Sequence, residues 1–204
     1  MSKLLLVRHG DTELNSRERF WGRTDVKLSA DGIRQAERLR DRLAAEKIDA
    51  TYSSDLSRAS ATAKIIASRH QVDVTACSEL REINFGELEG LKFEEFSQLY
   101  PQLVRLWVER NPALKYPGGE SLDEFIKRAS KFLSRLEKHT AEETVLIVAH
   151  SGPLRLLICQ LLCLDLKHWW QIRLALASLT VIETYSQGAI LSLLNDVCHL
   201  AERS

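Results

Sequence analysis

Short apolar runs alternate along this chain with longer stretches in which apolar residues recur every three or four positions. Residues 4–7, Leu-Leu-Leu-Val, form a continuous apolar run that fits a strand buried on both faces. Ser29 then reads as an N-cap, followed at helical spacing by Ile33, Ala36, Leu39, Leu43 and Ala44 with charges between them. Residues 48–53 predict a second strand. Asp55 begins the next helix, whose apolar face carries Ala59, Ala63, Ile66 and Ala67, and 72–75 predicts a third strand. Residues 83–119 break the rhythm with glycines, aromatics and prolines, and hold short helical pieces around 93–99 and 103–108. Ser121 opens a long amphipathic helix through Phe125, Ala129, Phe132, Leu133 and Leu136. Residues 145–149 are again a fully apolar strand, ending at His150-Ser151-Gly152-Pro153 before a further helix. Strands at 179–184 and 189–194 flank a Gln187-Gly188 turn. This order predicts a three-layer α/β/α sandwich around a mostly parallel sheet, with an antiparallel hairpin at its end. The expected organisation is one domain over 1–204 with a small cap-like insert at about 83–119.

Composition narrows the partners. The chain has 204 residues, with 28 Lys+Arg against 28 Asp+Glu. A net charge of zero argues against a general nucleic-acid binder or a membrane-surface protein, both of which need a basic excess. The longest apolar stretch, 154–166, is interrupted by Arg155, Gln160 and Asp165 and falls short of a membrane span. The N-terminal apolar run is too short for a signal-peptide core, so a cytoplasmic location is expected. The cysteines, Cys77, Cys159, Cys163 and Cys198, match no zinc spacing and read as reduced core residues. Arginine outnumbers lysine 18 to 10, and guanidinium forks suit phosphate and carboxylate.

Ligands of open α/β sheets bind beyond the carboxyl ends of the strands. Here those ends are polar. The first strand ends in Arg8-His9-Gly10-Asp11-Thr12, the second in Ser53-Ser54 ahead of Arg58, and the late strand in His150-Ser151-Gly152. The loop Arg81-Glu82-Ile83-Asn84-Phe85-Gly86 adds a carboxylate. Two guanidinium groups can hold phosphoryl oxygens, one imidazole can attack phosphorus and the other can stabilise equatorial charge. A carboxylic acid can protonate the departing oxygen and then activate water, and the helix after Ser151 can point its positive end at the anion. Such a set needs no metal. Taken singly, each residue reads better as a strand-end cap or a surface ion pair, since most polar strand-end residues have no further role.

The ordered motifs resemble the histidine phosphatase superfamily, the phosphoglycerate-mutase-like enzymes. They are Leu5-Leu6-Val7-Arg8-His9-Gly10-Asp11-Thr12-Glu13-Leu14-Asn15, Gly22-Arg23-Thr24-Asp25, Tyr52-Ser53-Ser54-Asp55-Leu56-Ser57-Arg58-Ala59, Leu80-Arg81-Glu82-Ile83-Asn84-Phe85-Gly86, Pro117-Gly118-Gly119-Glu120-Ser121 and Val148-Ala149-His150-Ser151-Gly152. The resemblance spans essentially the whole chain. It implies that His9 is the phosphorylated nucleophile, that Arg8, Arg58 and His150 surround the transferred group, and that Glu82 serves as acid and then base. It also places Asn15 and Ser151 as phosphate contacts, with no cofactor and no metal; Trp21, Gly22 and His199 are further candidate substrate contacts. Asp11 departs from the glutamate commonest at that position but stays acidic. His70, His139 and His168 match no motif.

Within the family, the short insert and zero net charge favour a phosphatase over a mutase, which must exclude water from its phosphohistidine. A binding module without turnover would be natural only if one of the five core residues were missing, and all five are present. The 84–90 stretch and the compact length resemble α-ribazole-5′-phosphate phosphatases of cobalamin synthesis. Trp21, Trp107 and Tyr116 suit an aromatic mouth for a flat ring. Metal-independent phosphoserine phosphatases are the alternative, with His199 placed to meet a substrate carboxylate. Phe85 stands where that group carries a polar histidine. A broad-specificity phosphatase is a further alternative. The expected partner is a small phosphorylated substrate, and a homodimer is compatible with the resemblance. Few clustered cations are visible in the insert, which argues against a bisphosphate.

Overall fold

In the computed structural model, which describes residues 2–14, 19–109, 111, 113–140 and 142–201, the N-terminal apolar run is strand β1 (Ser2–Arg8). Its side chains feed two cores. Leu4 and Leu6 pack with Phe132, Leu154 and Leu157, whereas Leu5 and Val7 pack with Leu39, Ala63 and Ile66. The stretch of β1 covered on both faces, residues 4–7, carries no polar side chain, so the polarity that starts at Arg8 marks where the site begins.

Strands β2 (Ala50–Ser54), β3 (Val74–Cys77), β4 (Thr144–Ala149), β5 (Leu179–Tyr185) and β6 (Gly188–Asp196) complete the sheet among the described residues, in the order β3-β2-β4-β1-β5-β6. Strands β3, β2, β4 and β1 are mutually parallel, and β5 runs antiparallel to both its neighbours. Helices α1 (Ala30–Arg42) and α2 (Ser57–Ala67) supply the core on one face. After α3 (Phe93–Leu99) and α4 (Pro101–Val108), helices α5 (Leu122–Ser130), α6 (Leu133–Leu136) and α7 (Ser151–Leu161) lie on the side of the other face. The fold is the expected three-layer sandwich with an antiparallel end.

Ser29 caps α1 as expected, its Oγ accepting from the Gly32 N–H at 3.1 Å. Other boundaries moved for local reasons. Asp55 does not cap α2; Leu56 occupies that position, and the Asp55 carboxylate instead takes both arms of Arg81 at 2.6 and 2.5 Å. The helix opened by Ser121 ends its first section at Ser130, whose hydroxyl bonds back to the Ile126 carbonyl at 2.7 Å and competes with the helical ladder. Pro101 starts α4 two residues earlier than the apolar pattern indicated, since proline is pre-shaped for a first helical turn. Cys77 and Cys159 are buried, but Cys163 and Cys198 are exposed rather than in the core.

The 83–119 segment packs Leu88, Phe96, Leu114 and Tyr116 against Phe125 of α5 and Leu156 of α7, so it sits over one end of the sheet. Among the described residues no helix is long and apolar enough to cross a membrane.

Candidate active site

Strand register builds the site. Parallel pairing sets Arg8 opposite Ala149, so the next residues, His9 and His150, stand side by side with ring centroids 5.0 Å apart. Pairing of Ser53 with Val148 brings Ser54 alongside, and its hydroxyl lies 2.9 Å from His150 Nε2. Arg58, in the first turn of α2, reaches back under the same strand ends. Its Nε donates to His150 Nδ1 at 3.2 Å, and its two terminal nitrogens donate to the Thr24 and Gly22 carbonyls at 2.9 and 2.6 Å. The five residues picked out by the motifs, Arg8, His9, Arg58, Glu82 and His150, all line one cavity of about 450 Å³.

The hydrogen bonds decide the tautomers. His9 Nδ1 is 2.7 Å from the Gly10 carbonyl, which only accepts, so Nδ1 carries the proton and Nε2 keeps its lone pair. His150 is the reverse: Nδ1 accepts from Arg58, and Nε2 holds the proton toward Ser54. Burial, followed by the charges of Arg8 and Arg58, holds His9 well below the usual histidine range. Burial, then Arg58 and His9, does the same for His150. Both rings are therefore neutral near pH 7.

This has a consequence for stability. The unfolded chain binds protons at both histidines as pH falls below about 6.5, whereas the native site resists them until a lower pH. Stability is thus fully present above about 6.5 and declines as pH drops from there toward the depressed native values. Urea midpoints at pH 7.5 and 5.5 are expected to show the lower value at 5.5. Equal midpoints would contradict the assigned protonation states.

Glu82 arrives from the loop after β3 and meets the start of α7. The Gly152 N–H and Ser151 Oγ donate to its Oε2 at 3.1 and 3.2 Å, and the Ile83 N–H donates to Oε1 at 3.1 Å. A Cβ at position 152 would stand 2.1 Å from Oε1, so only glycine lets the carboxylate come this near the helix.

Residues outside the motif core hold these groups. Glu89 accepts from the backbone N–H groups of Gly22, Arg23 and Thr24 at 3.0, 2.8 and 3.2 Å, shaping the loop whose carbonyls anchor Arg58. Arg128 donates to the Arg81 and Glu82 carbonyls at 3.0 and 3.2 Å and pairs with Glu120 at 2.7 Å. Both sit in segments already quoted for other reasons, but the backbone groups they hold are 46 to 67 positions away in sequence, so spacing could not expose the role.

The outer cavity wall was less visible still. Arg19, Arg155 and Arg173 line it together with Phe20, Trp21, Phe85 and Trp169. Arg155 sits four residues after Ser151 on α7, a helical spacing that marks the same face. Trp169 and Arg173 belong to the turn Leu166–Gln171 and the irregular chain behind it, where no periodicity signals a face. None of these arginines comes from the insert; fold contacts gather guanidinium groups from three other, distant segments.

Of the remaining expected contacts, Ser151 and Trp21 line the cavity, and Asn15 lies outside the described residues. Gly22 has another task, since its N–H is taken by Glu89 and its carbonyl by Arg58. His199 is elsewhere. The tail after β6 packs on α1, so His199 lines a separate cleft with Arg38, Asp41 and Arg42. Trp107 and Tyr116 line a smaller neighbouring cavity and pack on Phe20 and Phe85, so they back the mouth rather than form it.

A mostly parallel sheet with paired histidines, arginines and a carboxylate at its carboxyl edge defines a phosphoryl-handling enzyme, and the chain belongs to the histidine phosphatase superfamily (branch 1), whose profile matches residues 4–197. It is a phosphatase. Phosphoserine phosphatase 1 of Hydrogenobacter thermophilus is 37% identical over 202 residues, covering 99% of this chain and 96% of that one. The crystal structure of an α-ribazole phosphatase from Shigella flexneri superposes with a TM-score of 0.88 at 30% identity, over 95% of this chain and 96% of that one. A phosphoserine phosphatase mutant from Entamoeba histolytica, solved with phosphoserine, gives 0.83 at 28% identity, over 98% and 100%.

Proposed function

We propose that the chain hydrolyses small phosphomonoesters through a phosphohistidine at His9. The observation that carries this reading is the His9 ring, locked through Nδ1 to the Gly10 carbonyl so that Nε2 offers its lone pair within the cavity. That nitrogen forms a bond to phosphorus as the ester P–O bond breaks. Glu82 in its acid form gives its proton to the departing oxygen. Glu82 as carboxylate then takes a proton from water, whose oxygen bonds to phosphorus while the P–N bond breaks. Phosphate leaves, and His9 and the acid form of Glu82 are restored. Arg8 and Arg58 hold two of the non-bridging oxygens, and His150 takes the third by turning its single N–H, at Nε2, from Ser54 to the bound group; fixed donors act most strongly on charge that spreads in the transition state. In this reading the chain is one catalytic domain, with 83–119 as its cap.

The outer wall points to the leaving group. Among the described residues Arg173 has no ionic partner, and it shares the wall with Arg155. Guanidinium groups there favour an alcohol that carries its own carboxylate, as phosphoserine does. Phe85 supplies no polar contact, so arginines take over anion recognition. The second reading is α-ribazole-5′-phosphate, whose flat ring suits the faces of Trp21 and Trp169 on the same wall.

A kcat/KM panel of phosphoserine, phosphoethanolamine, α-ribazole phosphate and an aryl phosphate separates them. Phosphoserine is expected to lead by about tenfold or more, equivalent to about 1.4 kcal/mol. Arg173→Ala should remove most of that lead and leave the aryl phosphate unchanged. A tenfold lead for α-ribazole phosphate, unaffected by Arg173→Ala, would install the second reading.

A further inference from the structure

The loop 174–177, just before β5, walls the catalytic cavity through Leu174, Ala175 and Leu176 and is held from both sides. On the inner side Arg8 donates to the Leu174 carbonyl at 2.7 Å, and the Ala177 N–H donates to the His9 carbonyl at 3.1 Å. On the outer side Asn195 Oδ1 accepts from the Ala175 N–H at 2.6 Å, and His199 Nε2 lies 2.9 Å from the Ala177 carbonyl.

Ala177 is fully buried and has a φ of 53°. That left-handed conformation brings an alanine Cβ against its own carbonyl and persists only where neighbours over-determine it. His199 is built to do so. A carbonyl only accepts, so Nε2 is the donor; a guanidinium only donates, so Nδ1 accepts from Arg42 at 2.9 Å. Arg42 is anchored in turn by Asp196. Both ring nitrogens are thus committed, and the ring cannot turn without losing one bond.

We infer that His199 is a positioning residue for phosphoryl transfer, holding through the Ala177 carbonyl the left-handed turn that sets the His9 backbone and the Arg8 anchor. The inference rests on the reading of His9 as the nucleophile. It also gives the C-terminal tail a part in catalysis without substrate contact.

Four variants test it: His199→Phe keeps ring volume without a donor, and His199→Gln keeps an N–H donor near Nε2. Ala177→Gly removes the conformational penalty, and His9→Ala serves as control. A misplacement of about 1 Å in a reacting group can cost about a hundredfold. On that scale His199→Phe should lower kcat by about tenfold with KM nearly unchanged. His199→Gln should recover most of the loss. So should Ala177→Gly added to His199→Phe, because glycine adopts the turn unaided. His199→Asn, too short to reach the carbonyl, replaces His199→Phe if the latter does not fold. Wild-type kcat in the donorless variant, or a loss rescued by neither glutamine nor glycine, would overturn the inference. An active His9→Ala would instead sink the reading beneath it.

Discussion

Alanine in place of His9 is expected to abolish turnover of every phosphomonoester, with kcat falling on the order of 10⁴-fold or more, as for other covalent nucleophiles. The argument is geometric. Position 9 alone joins a lone pair free of hydrogen-bond partners among the described residues, a ring fixed by the Gly10 carbonyl, and a place between Arg8 and Arg58. His150 cannot substitute, because its Nδ1 is taken by Arg58 and its Nε2 faces Ser54. The arginines remain in the variant, so phosphate or vanadate should still bind, and titration calorimetry can confirm it. Retained binding with lost turnover separates a chemical role from a collapsed site. Substantial turnover would remove His9 from the centre of the mechanism.

Glu82→Gln is expected to divide substrates by their leaving groups. Glutamine keeps the size of the side chain and can still accept from the Gly152 N–H, but it has no acidic proton to give. A serine alkoxide leaves poorly without that proton, so phosphoserine hydrolysis should fall about 10²- to 10⁴-fold, the usual contribution of a positioned acid. The first step with an aryl phosphate needs little protonation and should fall far less in a single-turnover burst. Equal losses in the bursts of both substrates would assign Glu82 a purely positional task.

The order of strands and helices was legible because a sheet covered on both sides demands unbroken apolar runs, and 4–7 and 145–149 contain no polar residue. The same contrast made the inner site legible. Polar residues directly after such runs stand out, and parallel register delivers His9 and His150 to neighbouring positions. What stayed hidden depends on contacts between distant segments with no shared period. Arg173 and Trp169 follow a short turn, Arg19 precedes the insert, and only folding brings them to one wall. His199 shows the opposite failure. Its motif-based placement at the substrate was overridden by the tail's packing on α1, which leaves it two hydrogen bonds from the His9 backbone instead. The early end of α5 at Ser130 is of a smaller kind, a local side-chain bond that hydrophobic spacing does not register.

Rapid quench of the enzyme with radiolabelled phosphoserine tests the central claim most directly. The phosphohistidine account predicts label on the protein within one turnover, at up to one phosphoryl group per chain. The label should be stable in alkali, labile in acid, carried by the peptide containing His9, and formed at least as fast as kcat. Label on any other residue, or turnover with neither labelled protein nor phosphoryl transfer to a competing alcohol acceptor, would contradict it.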